Sequence, residues 1–358
     1  MRIVQIIDSL NPGGAENMAV NYANSLLGKI EFCGLIVTRE EGLLKQKVDK
    51  EVSYLFLNKN FPFDLLALFK LRKYIVKNKI QIVHTHGTSY FMGFLIKIIT
   101  PNIKLVWHEH YGNRISQKRM QFFPLYFASF FFSIIFVVNH ELEIWTRKHL
   151  LAKNIFYIRN FPIFDSSVSS LTDLKGTYKK RIVCLANLKN PKNHLFLLKI
   201  ALKVKALKPD WTFHLVGKDY EDEYSKNIIK YIKDHNLQEN VFIYSARTDV
   251  ENILSQSTIA ILTSESEGLP VSILEYGLAK KAVVATNVGE INAIIQNNIN
   301  GFIVESNDVD GFCNAILKLI DDDNLAQQFG INLNHLILTK YSQSIVMTEY
   351  LKIINSHI

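Results

Sequence analysis

The chain has 358 residues, of which 48% are hydrophobic and 21% charged. This length exceeds what one hydrophobic core usually serves, so we expect two domains, and the composition excludes an intrinsically disordered protein. The net charge of +8 is uneven: residues 1–160 carry 21 Lys and Arg against 11 Asp and Glu (+10), whereas residues 161–358 carry 20 against 22 (−2). The basic half indicates either solvated lysines or an anionic partner, such as a membrane surface or a phosphate-bearing acceptor. No recognised nucleic-acid-binding motif is present, so we predict no nucleic acid partner.

The N-terminus and the cysteines indicate the compartment. The first apolar run is interrupted at Asp8, which predicts a buried strand and argues against a signal peptide. Cys33, Cys184 and Cys313 are widely spaced, lie in apolar runs and lack metal-ligand spacing. These features favour a reducing cytoplasm, and we predict a cytoplasmic protein.

Short apolar runs alternate with amphipathic stretches along the chain. In the first half the predicted strands are Ile3–Ile7, Gly34–Thr38, Ile82–His84, Leu105–Trp107 and Ile134–Val138, with helices at Glu16–Leu27 and Leu65–Lys77 between them. In the second half they are Arg181–Leu185, Thr212–Val216, Val241–Tyr244, Ile259–Leu262, Ala282–Ala285 and Gly301–Val304. This alternation predicts an α/β protein with two doubly wound parallel sheets. A Ser-, Thr- and Asp-rich linker is predicted at residues 165–178.

The stretch Phe122–Val138 is almost continuously apolar over 17 residues. A membrane-spanning helix needs about 20 apolar residues, and Pro124 together with the β-branched end of the stretch favours a helix followed by a buried strand. Lys118 and Arg119, followed by phenylalanines, leave open a membrane-interface role. We therefore predict a chain that touches a membrane at most, on the inner face of the plasma membrane.

The segment from Ser264 to Glu275 predicts a ligand site. A buried strand ends near Leu262, Gly268 forms a turn, and Pro270 is predicted at the first helical position. A loop at a helix N-terminus favours anions, and carboxylates at Glu267 and Glu275 suit a hydroxyl-rich ligand. In isolation the same pattern is more typical of a charged loop with a helix-stabilising glutamate.

The surrounding sequence resembles the C-terminal signature of family 4 glycosyltransferases, which have the GT-B fold. The matching positions are Ser264, Glu267, Gly268, Pro270, Glu275, Gly289 and the run Asn300–Asp308. The resemblance implies two Rossmann-like domains that face each other across a cleft, with donor binding in the C-terminal domain. It also implies that Glu267 contacts the donor sugar, that Gly268 and Leu269 bind its phosphates, and that Glu275 binds the ribose.

Other segments extend the resemblance into both halves. Gly13 and Gly14 match the family's glycine-rich N-terminal loop, and Lys192 matches its diphosphate-binding lysine. Asn187 stands where the family has an arginine, so diphosphate neutralisation is expected to depend on Lys192 and the helix terminus. No metal is then required, and the acidic run at residues 321–323 is interpreted as solvated surface.

Histidines near the ends of two predicted strands are candidates for the N-terminal half of the site, because ligands gather at the carboxyl ends of parallel strands. The resemblance assigns the family's cleft histidine to His110, with His108 as the alternate. Acceptor-side candidates are His84, His86, His108 and Arg114. Glu267, His110 and Lys192 are the expected catalytic residues.

The resemblance therefore implies a retaining hexosyltransferase that uses a nucleotide-sugar, expected to be UDP-linked. The expected acceptor is a glycan or polyprenyl-diphosphate-linked oligosaccharide in bacterial capsule, exopolysaccharide or O-antigen synthesis. The expected domains are 1–164 for the acceptor, 179–340 for the donor, and 341–358 as a helix that returns to the first domain. The alternatives are a non-catalytic nucleotide-sugar-binding protein and a nucleotide-sugar 2-epimerase of the same fold. An NAD-dependent oxidoreductase is disfavoured because the G-x-G-x-x-G fingerprint is absent.

Overall fold

The structure is a computed structural model, and it describes residues 1–112, 114, 122–164 and 171–358. Lys118 and Arg119, with the interface role considered for them, lie outside the described residues, as do residues 165–170 of the predicted linker. The chain divides into two compact units, Met1–Phe161 with Gln343–Ile358, and Pro162–Ser342.

The first unit is built on a parallel sheet of seven strands in the order β3-β2-β1-β4-β5-β6-β7. The strands are β1 (Arg2–Ser9), β2 (Phe32–Glu40), β3 (Ser53–Phe56), β4 (Ile82–His86), β5 (Lys104–Glu109), β6 (Phe132–Val137) and β7 (Ile155–Tyr157). The helices are α1 (Gly14–Leu26), α2 (Leu65–Lys77), α3 (Tyr90–Ile99), α4 (Phe123–Ala128), α5 (His140–His149) and the C-terminal α13 (Gln343–His357). The two edge strands β3 and β7 were missed in the sequence although four-residue apolar runs, Tyr54–Leu57 and Ile155–Ile158, mark them, because such short runs are ambiguous without a neighbouring strand.

The second unit has a six-stranded parallel sheet in the order β10-β9-β8-β11-β12-β13. Its strands are β8 (Arg181–Leu185), β9 (Thr212–Val216), β10 (Val241–Tyr244), β11 (Ile259–Leu262), β12 (Ala282–Thr286) and β13 (Phe302–Val304). Its helices are α6 (His194–Leu207), α7 (Glu223–Asp234), α8 (Val250–Ser255), α9 (Val271–Leu278), α10 (Ile291–Ile294), α11 (Val309–Asp321) and α12 (Asp323–Lys340). The prediction of two parallel α/β sheets is confirmed.

The apolar stretch Phe122–Val138 folds as predicted, into a short helix followed by a buried strand. Pro124 lies in the first turn of α4, where a missing N–H costs no hydrogen bond, and β6 is buried at most of its positions. Among the described residues, no helix combines the length and apolar character needed to cross a membrane.

Residues 171–178 belong to the second unit and are held by the side chains of the two residues that flank α8, its N-cap Asp249 and its C-cap Gln256. Asp249 accepts hydrogen bonds from the backbone N–H groups of Leu171 and Thr172, at 2.9 and 2.8 Å. Gln256 accepts one from Leu174 at 3.0 Å. The domain and linker boundaries expected from the sequence stay a prediction.

Helix α9 packs closely against α12. A Cβ added to Gly277 would lie 2.6 Å from the Ile337 side chain and 2.8 Å from that of Leu333. Tyr276 is buried, accepts a hydrogen bond from the N–H of Leu185 at 2.7 Å and donates one to the carbonyl of Ile261 at 3.2 Å. Because Gly277 has no side chain, α9 can pack close to α12. In that position the Tyr276 hydroxyl links β8 to β11.

The acidic run at 321–323 is exposed, where α11 ends and α12 begins. Asp322 caps α12 by accepting from the N–H of Leu325 at 2.9 Å, and Asp321 pairs with Lys208 at 2.5 Å. Its interpretation as solvated surface agrees with these positions.

Candidate functional site

In the second unit, the loops that follow β8 and β11 bring Lys192 and Glu267 together. The Lys192 ammonium lies 2.5 Å from Glu267 Oε1, and the Ser264 hydroxyl donates to the same oxygen at 2.6 Å. Both charged side chains remain partly exposed, with side-chain exposures of 22% for Lys192 and 10% for Glu267. An ammonium, a hydroxyl and a carboxylate therefore meet at one site, where Ser264 is buried and the two charged side chains keep some exposure to solvent.

Backbone contacts fix the two loops against each other. Thr263 donates its hydroxyl to the carbonyl of Lys192 at 3.1 Å, and the N–H of Glu265 donates to the carbonyl of Pro191 at 2.8 Å. Thr286, at the end of β12, donates its hydroxyl to the carbonyl of Ser264 at 2.6 Å. The Lys192–Glu267 pair is thus held from three strand ends.

The N-terminus of α9 follows this pair directly. Gly268, Leu269 and Pro270 are buried, and Pro270 is the N-cap of α9. The prediction of Pro270 at the first helical position is wrong by one residue, because its ψ of 118° is still extended. Glu275 is the fifth helical residue and is partly exposed. The positive end of the α9 dipole therefore faces the same loop as Lys192, which favours an anion there.

Gly289 allows a close approach of the next loop to this site. It has a φ of +54°, and a Cβ added to it would lie 2.2 Å from the carbonyl oxygen of Glu267. The N–H of the following Glu290 donates to the carbonyl of Gly268 at 3.1 Å. Only glycine meets both demands without displacing the backbone of Glu267.

Asn187 lies in the loop that follows β8, and its side chain forms a hydrogen bond with the backbone. Its Oδ1 accepts from the N–H of Lys218 at 2.8 Å. Gly217 precedes that lysine, and a Cβ added to it would lie 2.2 Å from the carbonyl oxygen of Ala186. Sequence reasoning missed Gly217 and Lys218, although a glycine directly after a buried strand is a signal for close backbone approach.

In the first unit, the glycine-rich loop opens α1. Gly13 is the N-cap and Gly14 the first helical residue, which is exposed. A Cβ added to Gly13 would lie 2.2 Å from Glu16 Oε2, so the glutamate side chain folds back over the loop. The predicted turn before a helix is therefore present, with its N–H groups directed out of α1.

His84 and His86 of β4 and His108 of β5 form a buried group, called here the histidine cluster. All three side chains are fully buried. Their ring centroids are 4.5 Å apart for His84 and His86, and 5.5 Å from each of these to His108. Burial lowers the pKa of each well below its usual value, so all three are neutral at pH 7. Their predicted role as acceptor contacts stays a prediction, and in this structure they have no exposed surface.

His110 directly follows β5 and is partly exposed. Its Nε2 lies 2.9 Å from Nδ1 of His86, whose Nε2 lies 2.8 Å from Oε1 of Gln5. Because the Gln5 oxygen can only accept, His86 carries its proton on Nε2 and accepts on Nδ1 from Nε2–H of His110. Nδ1 of His110 is then left with a lone pair, and burial lowers the pKa of His110 to about 3. Gln5 was missed in the sequence, since a single polar residue inside an apolar strand carries no chemical signature.

Arg114 lies in a buried ion pair. Its Nε donates to Glu109 Oε2 at 2.6 Å, with side-chain exposures of 9% and 1%. Glu109 Oε1 accepts from the N–H of Tyr111 at 2.9 Å. Burial raises the pKa of Glu109, against the opposing effect of Arg114. The pair holds the turn that carries His110, and an acceptor contact for Arg114 stays a prediction.

The structure thus gathers Lys192, Ser264, Glu267 and the start of α9 in the second unit, with Asn187 in the loop that also carries Lys192, and it gathers the four histidines in the first unit. Comparison with known proteins gives a family match for each of the two units. Residues 173–335 match the family described as Glycosyl transferases group 1, and residues 12–161 match Glycosyltransferase Family 4.

Two bacterial proteins illustrate the similarity in sequence. The chain is 27% identical over 324 residues to UDP-Gal:alpha-D-GlcNAc-diphosphoundecaprenol alpha-1,3-galactosyltransferase of Escherichia coli. The alignment covers 83% of this chain and 82% of that protein. It is 22% identical over 318 residues to the capsular polysaccharide biosynthesis glycosyltransferase CapH of Staphylococcus aureus, with 83% and 84% covered.

Solved structures show the same fold. The crystal structure of HepE from Anabaena in complex with UDP and glucose superposes with a TM-score of 0.84 at 18% identity, covering 99% of this chain and 100% of that one. TarM of S. aureus, in a complex that includes UDP, has a TM-score of 0.81 at 16% identity with 99% and 100% covered. These findings confirm the resemblance indicated by Ser264–Glu275. The chain is a glycosyltransferase of the GT-B fold, with a Glycosyltransferase Family 4 domain followed by a Glycosyl transferases group 1 domain.

Proposed function

We propose that this enzyme transfers a sugar from a UDP-sugar, with retention at the anomeric carbon, to a hydroxyl of a glycan or polyprenyl-diphosphate-linked acceptor. The relatives support this choice, because the E. coli protein is named for a UDP-Gal donor and a diphosphoundecaprenol acceptor, and the HepE structure contains UDP. The CapH relative supports a place in bacterial surface-polysaccharide synthesis.

The observation that carries the donor assignment is the contact of Lys192 and Ser264 with Glu267 before α9. A diphosphate at the α9 N-terminus would draw the Lys192 ammonium from Glu267, since phosphate offers more charge and more acceptor oxygens. Glu267 would keep the Ser264 hydroxyl and turn its other oxygen to a hydroxyl of the donor sugar. The N–H groups of Gly268 and Leu269 would bind phosphate oxygens, and Glu275 the ribose.

The chemistry follows from where charge develops. As the bond from the anomeric carbon to the diphosphate oxygen breaks, negative charge grows on that oxygen and positive charge on the sugar ring. Lys192 and the α9 dipole stabilise the leaving diphosphate, so the residues need no metal at this step. We propose a front-side displacement in which the leaving oxygen takes the proton of the attacking acceptor hydroxyl. His110, which is neutral and partly exposed, would orient a sugar hydroxyl. Its Nδ1 is buried and has no partner among the described residues, so this contact requires the ring to rotate toward the sugar.

Donor hydrolysis tests this proposal without knowledge of the acceptor. Wild-type enzyme should slowly release UDP from at least one UDP-sugar, and Glu267→Gln or Lys192→Ala should lower that rate by about 100-fold, as for loss of one charge-stabilising group. Glu265→Gln is the matched control, because this exposed glutamate lies two residues away and should keep the wild-type rate. A thermal-shift panel of UDP-, GDP- and CMP-sugars then identifies the base, since a bound donor stabilises the folded state. Stabilisation by GDP- or CMP-sugars alone, or equal rates for Glu267→Gln and Glu265→Gln, would contradict the proposal.

We also propose that the first unit binds an anionic membrane surface. Large apolar side chains are exposed on and before α2, on α3, and on and after α4: Phe61, Phe63, Leu65, Leu66, Phe69, Ile98, Phe123, Phe127 and Phe130. We call them the apolar surface. Phe63 contacts Phe91 with centroids 5.1 Å apart, which links the α2 and α3 parts. Exposed Arg72, Lys73 and Lys77 lie farther along α2, so insertion and charge attraction would act together.

Vesicle co-flotation tests the membrane proposal. Wild type should float with phosphatidylglycerol-containing vesicles and not with phosphatidylcholine alone. Leu66→Glu with Phe69→Glu should abolish flotation, whereas the control Ile331→Glu, at an exposed apolar position of α12, should not. Undiminished flotation of the double variant would contradict the assignment of this surface.

A further inference from the structure

The histidine cluster leaves several buried polar atoms without a partner among the described residues. These atoms are Nε2 of His84, both ring nitrogens of His108, and the hydroxyl of the adjacent Tyr22. Buried polar groups are almost always hydrogen-bonded, because an unpaired one keeps the cost of leaving water without compensation. A fully buried imidazole with both nitrogens unpaired therefore indicates a missing occupant.

The positions of the three rings suit a metal ion. One ligand nitrogen from each of His84, His86 and His108 can be chosen so that all lie within 4.8 Å of one another. In a tetrahedral zinc site with Zn–N bonds of about 2.0–2.1 Å, ligand nitrogens are roughly 3.4 Å apart. The three rings are now stacked, with interplanar angles of 6–29°, and the lone pair of a ring nitrogen lies in the plane of its ring. A bound ion would therefore draw the nitrogens together by rotating the rings out of this stacked arrangement.

We propose that the histidine cluster binds one divalent transition-metal ion, with zinc as the best fit, through one ring nitrogen from each histidine. Imidazole is a good ligand for zinc, and three histidines are a known zinc ligand set. The neutral state of these buried side chains is the form that binds a metal.

The other nitrogens of two of these rings already have the partners that metal-bound histidines need. Nδ1 of His84 lies 3.1 Å from the hydroxyl of Tyr350 on α13, and Nε2 of His86 lies 2.8 Å from Gln5 Oε1. Such contacts orient a ligand ring and determine which nitrogen keeps its proton. Nε2 of His84 and Nδ1 of His86 are then the ligand atoms, and His86 would exchange its contact with His110 for the ion.

An ion here would join β4 and β5, and its binding would change the surroundings of His110. It lies among residues of the first unit, whereas the residues proposed for the diphosphate belong to the second. The inference therefore does not depend on the proposed donor or on the proposed chemistry of transfer.

Metal content tests the inference. Untagged wild-type enzyme, equilibrated with zinc and then desalted, should retain about one zinc per chain by mass spectrometric metal analysis, and cobalt loading should produce a visible absorption band. His108→Phe removes a ligand but keeps an aromatic ring beside Phe136, and it should lose the band and at least tenfold in zinc affinity. His140→Ala, at an exposed histidine of the same unit, is the control and should bind as wild type does.

Two outcomes would overturn the inference. Wild type that retains no zinc and shows no cobalt band would mean that the cluster holds water or stays dry. Equal zinc retention in wild type and in folded His108→Phe would place the ion elsewhere. If His108→Phe fails to fold, the zinc stoichiometry and the cobalt band of the wild type test the inference by themselves. The inference then requires about one zinc per chain and a cobalt band typical of nitrogen ligands.

Discussion

Gly289→Ala should damage the donor site through backbone geometry alone. The native φ of +54° costs a residue with a Cβ about 1–2 kcal/mol. In addition the new Cβ would lie 2.2 Å from the carbonyl oxygen of Glu267, against about 3.3 Å for a close carbon–oxygen contact. The backbone of Glu267 must then move by about 1 Å, and a misplacement of that size can lower a rate by about 100-fold.

Gly28→Ala is the matched control, because Gly28 has a φ of +70° and nothing within 4 Å of an added Cβ. It should lower Tm by a few degrees, as expected for about 1 kcal/mol, and leave donor hydrolysis unchanged. Gly289→Ala should lower Tm further and donor hydrolysis by about 100-fold. If the two variants have the same Tm and both hydrolyse donor at the wild-type rate, then the close approach of Gly289 to the carbonyl of Glu267 is not needed to hold the donor site in its active geometry.

Three further predictions concern stability. The lowered pKa values of the histidine cluster mean that the unfolded chain binds more protons than the folded chain below pH 6.5. The free energy of unfolding should therefore fall by about 1.4 kcal/mol per cluster histidine in total between pH 7.5 and pH 5.5. Urea unfolding with chelator at these two pH values measures the change, and equal values would refute it. Arg114→Ala leaves the Glu109 carboxylate buried and unpaired and should cost about 3–5 kcal/mol in the same assay, whereas a cost below 1 kcal/mol would mean that the pair is solvated. Gly277→Val should cost about 1–3 kcal/mol through overpacking against Ile337, and a stable variant would show that α9 and α12 separate easily.

Much of the fold is readable from the sequence because parallel strands covered on both faces are continuous apolar runs. Strand β11 is entirely buried, and its predicted bounds agree with the structure. Helix α2 was also predicted with the observed bounds from its amphipathic pattern, and in the structure Asp64 caps its first turn. Edge strands β3 and β7 have only short, partly buried apolar runs, which become identifiable as strands when a neighbouring strand is present to pair with them.

The sequence by itself determined the family and the loop from Ser264 to Glu275, because local turn and helix-start chemistry is written in consecutive residues. Only the tertiary structure decided which distant side chains meet. Lys192 reaches Glu267 across 75 positions of sequence, and Gln5 reaches His86 across 81. Burial was likewise decided in three dimensions: His84, His86 and His108 look like accessible strand-end histidines in the sequence, yet α1 and α13 cover them. Packing of distant elements sets exposure, and no local pattern records it.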